Sequence, residues 1–270
     1  MKLVALCKTN SCNEFIEAAI EAIYEDMWKI VFVHSDYNWL GQYTKDETRE
    51  PITAWKKQFD KKGKIIQLEF NSHHVTQEAQ YNLGYIYIQE HFLPDWVFVF
   101  DSDEVWDYEN MRRLKKYASK NYNYNCIGSN MHTYLKSPLY RVEPSEWCKP
   151  TVLFRPCRKL MQGIRGNNFY PKLIPEDLYF HHYTYVRAKE EDVFKKIWTS
   201  LQGDREEVQA TSLVDMEKWK EEKWNKLPYS KNLHTTKGAE KSWQKIKVIA
   251  MEDVPLTLRN KPIIKQFTKG

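Results

Sequence analysis

Three carboxylates follow a strongly apolar run in the segment DWVFVFDSDEVWD, residues 95–107, where Asp101, Asp103 and Glu104 lie close together. Carboxylates at the end of a buried strand repel one another and resist losing their hydration, so we expect a cation to hold them. Oxygen ligands favour Mg²⁺ or Mn²⁺, and Mg²⁺ usually shares one or two carboxylates with substrate phosphates. The turn therefore predicts a metal and diphosphate site. The alternative is a solvated acidic turn in which Asp103 or Asp107 only caps the following helix.

The acidic turn ends the last of four predicted strands. The first hundred residues alternate between strand and helix patterns, with strands in the segments KLVALC, KIVFVH, KIIQLEF and WVFVF. This βαβαβαβ order, with strands that are apolar throughout, is typical of a parallel sheet covered by helices on both faces. Ligands of such sheets bind outside the carboxyl ends of the strands. The carboxylates therefore lie at the expected mouth of a binding site.

Beyond residue 107 the regular alternation stops. A short helix over 108–119 precedes strand-like segments, and two further helices are predicted near 189–202 and 212–224. We divide the chain into a nucleotide-binding half over residues 1–107, a second-substrate half of the same domain over 108–204, and a helical C-terminal extension over 205–270.

Length and composition favour a globular intracellular protein. The 270 residues are 42% hydrophobic and 14% aromatic, enough for one large domain or one domain with an appendage. The longest apolar runs are far shorter than the roughly 20 residues of a membrane span, and the N-terminal MKLVALCK is typical of a strand, not of a signal peptide. Five cysteines without CxxC pairs fit reduced thiols, which predicts a cytoplasmic location. The net charge of +5 suits polyanionic partners but selects none of them.

Over most of its length the chain resembles the family-2-like glycosyltransferases of the GT-A fold. The resemblance is carried by the segments CNEFIEAAIEAIYEDMWKIVFVHSD, QYNLGYIYIQEHFLPDWVFVFDSDE, KPTVLFRP and YFHHYTYVR, and DSDE matches the Asp-x-Asp motif of that family. It implies an α/β fold of GT-A type, with a Rossmann-like, mostly parallel sheet. It also implies a nucleotide-sugar donor linked through UDP, a divalent Mn²⁺ or Mg²⁺ ion, and inversion at the anomeric carbon.

The resemblance also implies which residues bind the metal. Asp103 would bridge the ion to the diphosphate, and Asp101 would lie on the ribose side of the metal site. His182 would be a third ligand, or equally a packed or hydrogen-bonded histidine of the strand. Because YFHHYTYVR has strand character, His181 and His182 should point to opposite faces, so only one of them can reach the site.

Besides Asp101, four residues are candidates for binding the nucleotide. By resemblance, Thr9 and Asn10 lie near the base, and Asp36 occupies the position of the family's acidic residue at a strand end. Asp36 could equally cap the loop at Tyr37. Arg187 could form a bidentate pair with phosphate, or a surface ion pair. The segment NSCNE departs from the family pattern, which has Arg or Thr directly before Asn-Glu.

Inversion requires a carboxylate that is near the acceptor hydroxyl and not bound to the metal. By resemblance, Asp177 and Glu176 in IPEDLYF are the candidates, and Asp177 is favoured. Glu143 and Glu146 in RVEPSEW are the rivals.

Two other classes of protein compete with this interpretation. The segment VFVFDSDEV also fits haloacid-dehalogenase-type phosphatases, with Asp101 as nucleophile and Asp103 as acid, but three strands precede it where that family has none. Lysines interleaved with aromatic residues could instead indicate a non-catalytic nucleic-acid-binding protein. For a transferase, the acceptor would be a glycan or a hydroxymethylated DNA base, which would have to be flipped out or otherwise exposed.

Overall fold

The computed structural model describes residues 1–9, 13–38, 41–72, 76–145, 148–156, 165, 172–203, 219–226, 229–231 and 243–268. The candidate nucleotide contact Asn10 and the candidate base Glu146 lie outside the described residues, as does most of the helix predicted over 212–224.

The described residues contain strands throughout and helices mainly in the first half and at the C-terminal end. The strands are β1 (Leu3–Lys8), β2 (Lys29–His34), β3 (Ile65–Glu69), β4 (Trp96–Asp101), β5 (Glu104–Val105), β6 (Cys126–Gly128), β7 (Asn130–Leu135), β8 (Ser137–Glu143), β9 (Thr151–Phe154), β10 (Lys172–Leu173), β11 (Tyr179–Tyr185), β12 (Tyr229–Lys231) and β13 (Trp243–Val248). The helices are α1 (Ile16–Ile23), α2 (Arg49–Phe59), α3 (Gln77–His91), α4 (Tyr108–Lys120), α5 (Glu190–Gly203), α6 (Leu256–Arg259) and α7 (Pro262–Thr268), with a π-helical turn at Lys220–Trp224 and a 3₁₀ turn at Met251–Asp253.

The first sheet has the order β10-β6-β9-β4-β1-β2-β3 within the described residues. Strands β1 to β4 pair in parallel, and β9 runs antiparallel to β4 and β6. This confirms the predicted mostly parallel sheet. The register pairs Lys8, the last residue of β1, with Asp101, the last residue of β4. Two oppositely charged side chains therefore meet at the carboxyl edge.

Helices cover both faces of the parallel strands. Alternate residues of β1 pack into two different clusters, Ala5 with α1 and Leu6 with α3. The helix α3 approaches the sheet closely because it carries Gly84. A Cβ at that position would lie 2.3 Å from a methyl carbon of Leu6 and 2.7 Å from one of Val33. The apolar strands are thus buried on both sides, as their composition predicts.

The second sheet has the order β12-β13-β8-β7-β11-β5 among the described residues. Its edge strand β5 begins only three residues after the end of β4, so the acidic turn connects the two sheets. β11 runs antiparallel to β5 and places His182 opposite Glu104. Strand pairing therefore joins the two most informative sequence motifs, although they are far apart in the chain.

The predicted C-terminal extension contains helices, but also strands that the sequence analysis did not predict. β13 pairs with β8 and so extends the second sheet. The helices α6 and α7 contribute Leu258, Ile263 and Ile264 to the main core. A search of the described residues finds no helix with the length and apolar content that a membrane span requires.

Candidate active site

The acidic turn is buried, not solvated. The side chains of Asp103 and Glu104 are 2% and 3% exposed, and that of Asp101 is 23% exposed. Asp107 is the N-cap residue of α4, but its side chain makes no capping hydrogen bond. The alternative of a solvated turn that merely caps a helix therefore does not describe this structure.

Three side chains contact the carboxylate of Asp101. Its Oδ1 accepts a hydrogen bond from the Tyr81 hydroxyl (2.7 Å) and lies 3.2 Å from the Lys8 ammonium. Its Oδ2 lies 2.9 Å from the guanidinium of Arg165, which also contacts Glu104. Burial opposes ionisation of Asp101, but Lys8 and Arg165 outweigh it, and the pKa of this carboxyl is below its usual value. Asp101 is therefore ionised and already paired.

The pKa of Glu104 is shifted in the opposite direction. Burial raises its pKa to about 7, because Arg165 offsets only part of the cost and the neighbouring Asp101 carboxylate adds repulsion. One Glu104 oxygen accepts the backbone N–H of Asp101 at 3.1 Å. The residue thus fixes the shape of the turn.

Asp103 divides its two oxygens between different groups. Oδ2 pairs with the Lys196 ammonium and, at 3.2 Å, with Nη2 of Arg187. Oδ1 lies 4.0 Å from Nε2 of His182. Burial opposes ionisation of Asp103, but nearby cations, with Lys196 the strongest, hold its pKa well below the usual value. This carboxylate stays charged although it is buried.

The two consecutive histidines lie on opposite sides of β11. His182 faces Asp103, and burial lowers its pKa to about 4, so its imidazole is neutral near pH 7. His181 instead contacts the Tyr134 hydroxyl at 2.7 Å and Asp107 at 2.9 Å. Of the two, only His182 could therefore ligate an ion held by Asp103.

The predicted nucleotide contacts lie at the ends of β1 and β2. The Thr9 hydroxyl is buried and donates to Asp46 at 2.6 Å. Asp36 is partly exposed and accepts hydrogen bonds from Arg49 (3.0 Å) and from the backbone N–H of Asp46 (2.9 Å). These contacts tie both residues into the loop that follows β2.

The contacts of Asp36 also fit its alternative role as a cap of the next loop, because its carboxylate accepts the backbone N–H of Asp46 at the end of that loop. The backbone N–H of Tyr37 donates to the hydroxyl of Ser35 at 3.1 Å. The Asp36 side chain is directed to Arg49, which also binds Glu69.

The structure does not bring Asp177 to the acidic turn. Its carboxylate accepts a hydrogen bond from Tyr117 of α4 at 2.5 Å and lies 4.0 Å from Arg113, and the side chain is 54% exposed. Asp177 lies five positions before His182 along a nearly extended chain, a span of about 16 Å. Glu176 precedes it in the same surface turn. The sequence pattern identified these residues as carboxylates of a suitable type, but it could not predict their distance from Asp103.

Glu143 is also remote from Asp103. It ends β8, accepts a hydrogen bond from Arg141 at 2.6 Å, and lies opposite Lys245 of β13. Because β8 and β11 are separated by β7, their backbones lie about 10 Å apart. The Arg141 pair lowers the pKa of Glu143, which makes it a weaker base.

Sequence reasoning missed three of the cations, Lys8, Arg165 and Lys196. Lys8 could have been found, because the ends of parallel strands meet at one edge of a sheet. Arg165 and Lys196 come from segments without a motif, 61 and 93 positions from their carboxylate partners. Within the described part of the chain, no group of three or more His, Cys, Asp or Glu side chains could hold a metal ion alone.

A known structure shares this fold. No protein-family model matches the chain, and no curated protein does. The mannosyltransferase PcManGT from Pyrobaculum calidifontis, in complex with GDP-Man and Mn²⁺, is 12% identical with a TM-score of 0.50, over 75% of this chain and 62% of that chain. S. aureus TarS is 9% identical with a TM-score of 0.47, over 75% and 71%. The chain thus spans about three fifths of the mannosyltransferase, and together with the strand order this likeness shows a GT-A fold.

Proposed function

We propose that the protein is a glycosyltransferase that moves a sugar from a nucleoside-diphosphate donor to a hydroxyl acceptor, with inversion. The observation that carries the proposal is Asp103, a buried, ionised carboxylate at the carboxyl edge of a parallel sheet, with a neutral histidine on one oxygen and cations on the other. Ligands of parallel sheets bind at this edge.

The arrangement suits the departure of a diphosphate. In the transfer, the bond between the anomeric carbon and the phosphate oxygen breaks, and its electron pair stays on that oxygen. The acceptor oxygen forms the new bond to carbon and releases its proton to a general base. Positive groups fixed beside the leaving oxygen stabilise the charge that develops there. Lys196 and Arg187 are such groups.

The residues also fit a divalent ion. Oδ1 of Asp103 and Nε2 of His182 are separated by 4.0 Å, which is longer than a hydrogen bond and short enough for both to ligate one ion. A carboxylate with a neutral imidazole is a suitable donor pair for Mn²⁺. A bound ion would act as a Lewis acid on the diphosphate oxygens. Asp101 would lie on the nucleotide side, with its charge already balanced by Lys8.

The proposal also includes the class of donor and the class of acceptor. Thr9 and Asp36 follow β1 and β2, the first and second strands beside β4, and would lie near the base and ribose of a UDP-linked donor. The acceptor would be a glycan or a hydroxymethylated base in DNA.

The phosphatase alternative is disfavoured by the contacts of Asp101. A nucleophile must have a free oxygen, whereas both Asp101 oxygens are paired, one with Lys8 and Tyr81 and the other with Arg165.

A donor screen tests the proposal. The protein is incubated with Mn²⁺ and a panel of nucleotide sugars, and release of the nucleoside diphosphate is measured with and without added glycan or hydroxymethylated DNA. We expect release from one donor class, stimulated by an acceptor and reduced in chelator. Absence of turnover with every donor, together with salt-dependent DNA binding or with phosphate release from phosphomonoesters, would contradict it.

A further inference from the structure

The carboxylates of the acidic turn are already paired with cations of the protein. Four cationic side chains of the described residues contact its three carboxylates: Lys8, Arg165, Arg187 and Lys196 against Asp101, Asp103 and Glu104. Glu14, at 4.0 Å from Arg187, brings the carboxylates of the cluster to four. With every carboxyl ionised, the cluster is therefore balanced. A cation that can leave such a cluster is available to an incoming anion.

Arg187 is held in place by its hydrogen bonds, so its guanidinium cannot move towards an incoming anion. Its Nη1 donates to the backbone carbonyls of Tyr183 (2.9 Å) and Val186 (2.7 Å), while Nη2 contacts Asp103. Its side chain is 2% exposed. Arg187 therefore neutralises Asp103 permanently, and that carboxylate does not depend on a second cation.

Lys196 differs from Arg187 in its exposure to solvent and in the flexibility of its side chain. Its side chain extends from α5 and is 30% exposed, and its ammonium meets the Asp103 oxygen that Arg187 already neutralises. A lysine has a flexible four-carbon stem and a compact ammonium that binds phosphate oxygens as a point charge. Lys196 can thus leave Asp103 for an incoming anion without leaving that carboxylate unpaired.

We propose that Lys196 is a phosphate-binding residue of the donor site, which exchanges Asp103 for the donor's diphosphate. A nucleoside diphosphate then binds in the absence of a divalent ion, and the ion contributes to turnover more than to binding. The inference rests on the proposed function, because it names the side chain that receives the leaving group.

Calorimetric titration with UDP and with GDP tests this, in excess chelator and again in Mn²⁺. Four proteins are compared: the wild type, Lys196→Met, Lys196→Arg and Lys195→Met. Lys195 is the exposed neighbour on the same helix, so its variant removes an equal charge from nearly the same place. We expect wild type and Lys195→Met to bind at least one of the two nucleotides in chelator. Lys196→Met should bind it at least about tenfold more weakly, as for loss of a charge-assisted hydrogen bond. Lys196→Arg should retain most of the affinity.

The outcomes separate the two proposals. Binding that requires Mn²⁺ in every protein would overturn the role of Lys196 but leave the glycosyltransferase proposal intact. Equal affinities of Lys196→Met and Lys195→Met would do the same. Failure of both nucleotides to bind under either condition, together with no turnover in the donor screen, would end both proposals. Circular dichroism of each variant shows whether a lost affinity reflects unfolding.

Discussion

The two faces of β11 present consecutive histidines to different surroundings. On one face, His182 lies beside Asp103 and its cations, with Nε2 4.0 Å from the carboxylate. On the other face, His181 bridges the Tyr134 hydroxyl and Asp107, and its ring stacks on Tyr134 at 5.7 Å between centroids. The same residue type therefore belongs to a charged cluster in one case and to an aromatic core in the other.

This difference separates a structural polar group from one that can take a ligand. Both ring nitrogens of His181 have protein partners at hydrogen-bond distance, so the ring has no further atom to offer. The His182 and Asp103 atoms face each other at a distance that an ion could bridge. We therefore expect substitutions on the His182 face to change ligand binding and turnover, and those on the His181 face to change stability.

The largest expected effect is that of Asp103→Asn. The substitution keeps the size of the side chain but removes the charge that balances Lys196 and Arg187, and it weakens a metal ligand. Turnover in the donor assay should fall about 100- to 1,000-fold, the scale of losing one electrostatic group at a developing charge. The matched control on the opposite face is Asp107→Asn, which should keep turnover within a few-fold. Equal losses in the two variants would remove the proposed distinction between the faces.

The sequence predicts the His182 face better than its surroundings. The strands β1 to β4 follow from continuous apolar runs, and the motif places Asp101 and Asp103 at their edge. The opposite orientations of His181 and His182 follow from strand geometry alone. The joining of further strands into a second sheet was not predicted, since its edge strand β5 has only two residues and pairs with β11 from a distant segment.

The balance of charges at the site could not be predicted from the sequence either. The motif indicates negative charge, and the structure shows that Lys196 and Arg165 offset much of it from distant segments. Asp177 is a second example, because a family pattern identified this carboxylate but only the structure shows that the turn before β11 directs it towards α4. The local sequence pattern predicts where the strands end. Which charged side chains meet at those ends depends on contacts between distant segments.

The next largest effect should be a loss of stability in His181→Ala. The change creates a cavity in the aromatic core and leaves the buried Tyr134 hydroxyl without its partner. We expect the free energy of unfolding to fall by about 2–4 kcal/mol, measured by urea denaturation. His182→Ala should cost less, because its ring lies at the edge of the charged cluster. A greater loss in His182→Ala would reverse the assignment of the two faces.

The metal affinity of His182→Ala provides the complementary measurement. Removal of one of two protein ligands should weaken Mn²⁺ binding in the presence of UDP by at least about tenfold, as judged by electron paramagnetic resonance of free Mn²⁺. The control His181→Phe retains an aromatic ring on the other face and should leave Mn²⁺ affinity unchanged. Unaltered affinity in His182→Ala would show that the ion, if bound, is held elsewhere.

The smallest effect concerns the acid sensitivity of the His181 face, through His132 of β7, which is paired with His181 in the strand register. Burial, aided by His181 and Arg141, lowers the pKa of His132 to about 3, while Glu143 and Asp107 act in the opposite direction. The unfolded chain binds this proton below about pH 6.5, so between these values the unfolded state holds more protons. Stability should therefore fall as the pH falls through this window.

His132→Phe should remove part of this dependence while preserving the stacking of the ring on Tyr179, which is 4.2 Å away between centroids. Between pH 7 and pH 5, wild type should lose about 1 kcal/mol more of its unfolding free energy than the variant, a value reduced for the partial exposure of the ring. Urea titrations at the two pH values measure the difference. A parallel decline in both proteins would place the acid sensitivity at another group. Because His132 does not contact the acidic turn, the variant should also bind UDP as tightly as wild type, so the two faces would differ in their pH response as well as in their chemistry.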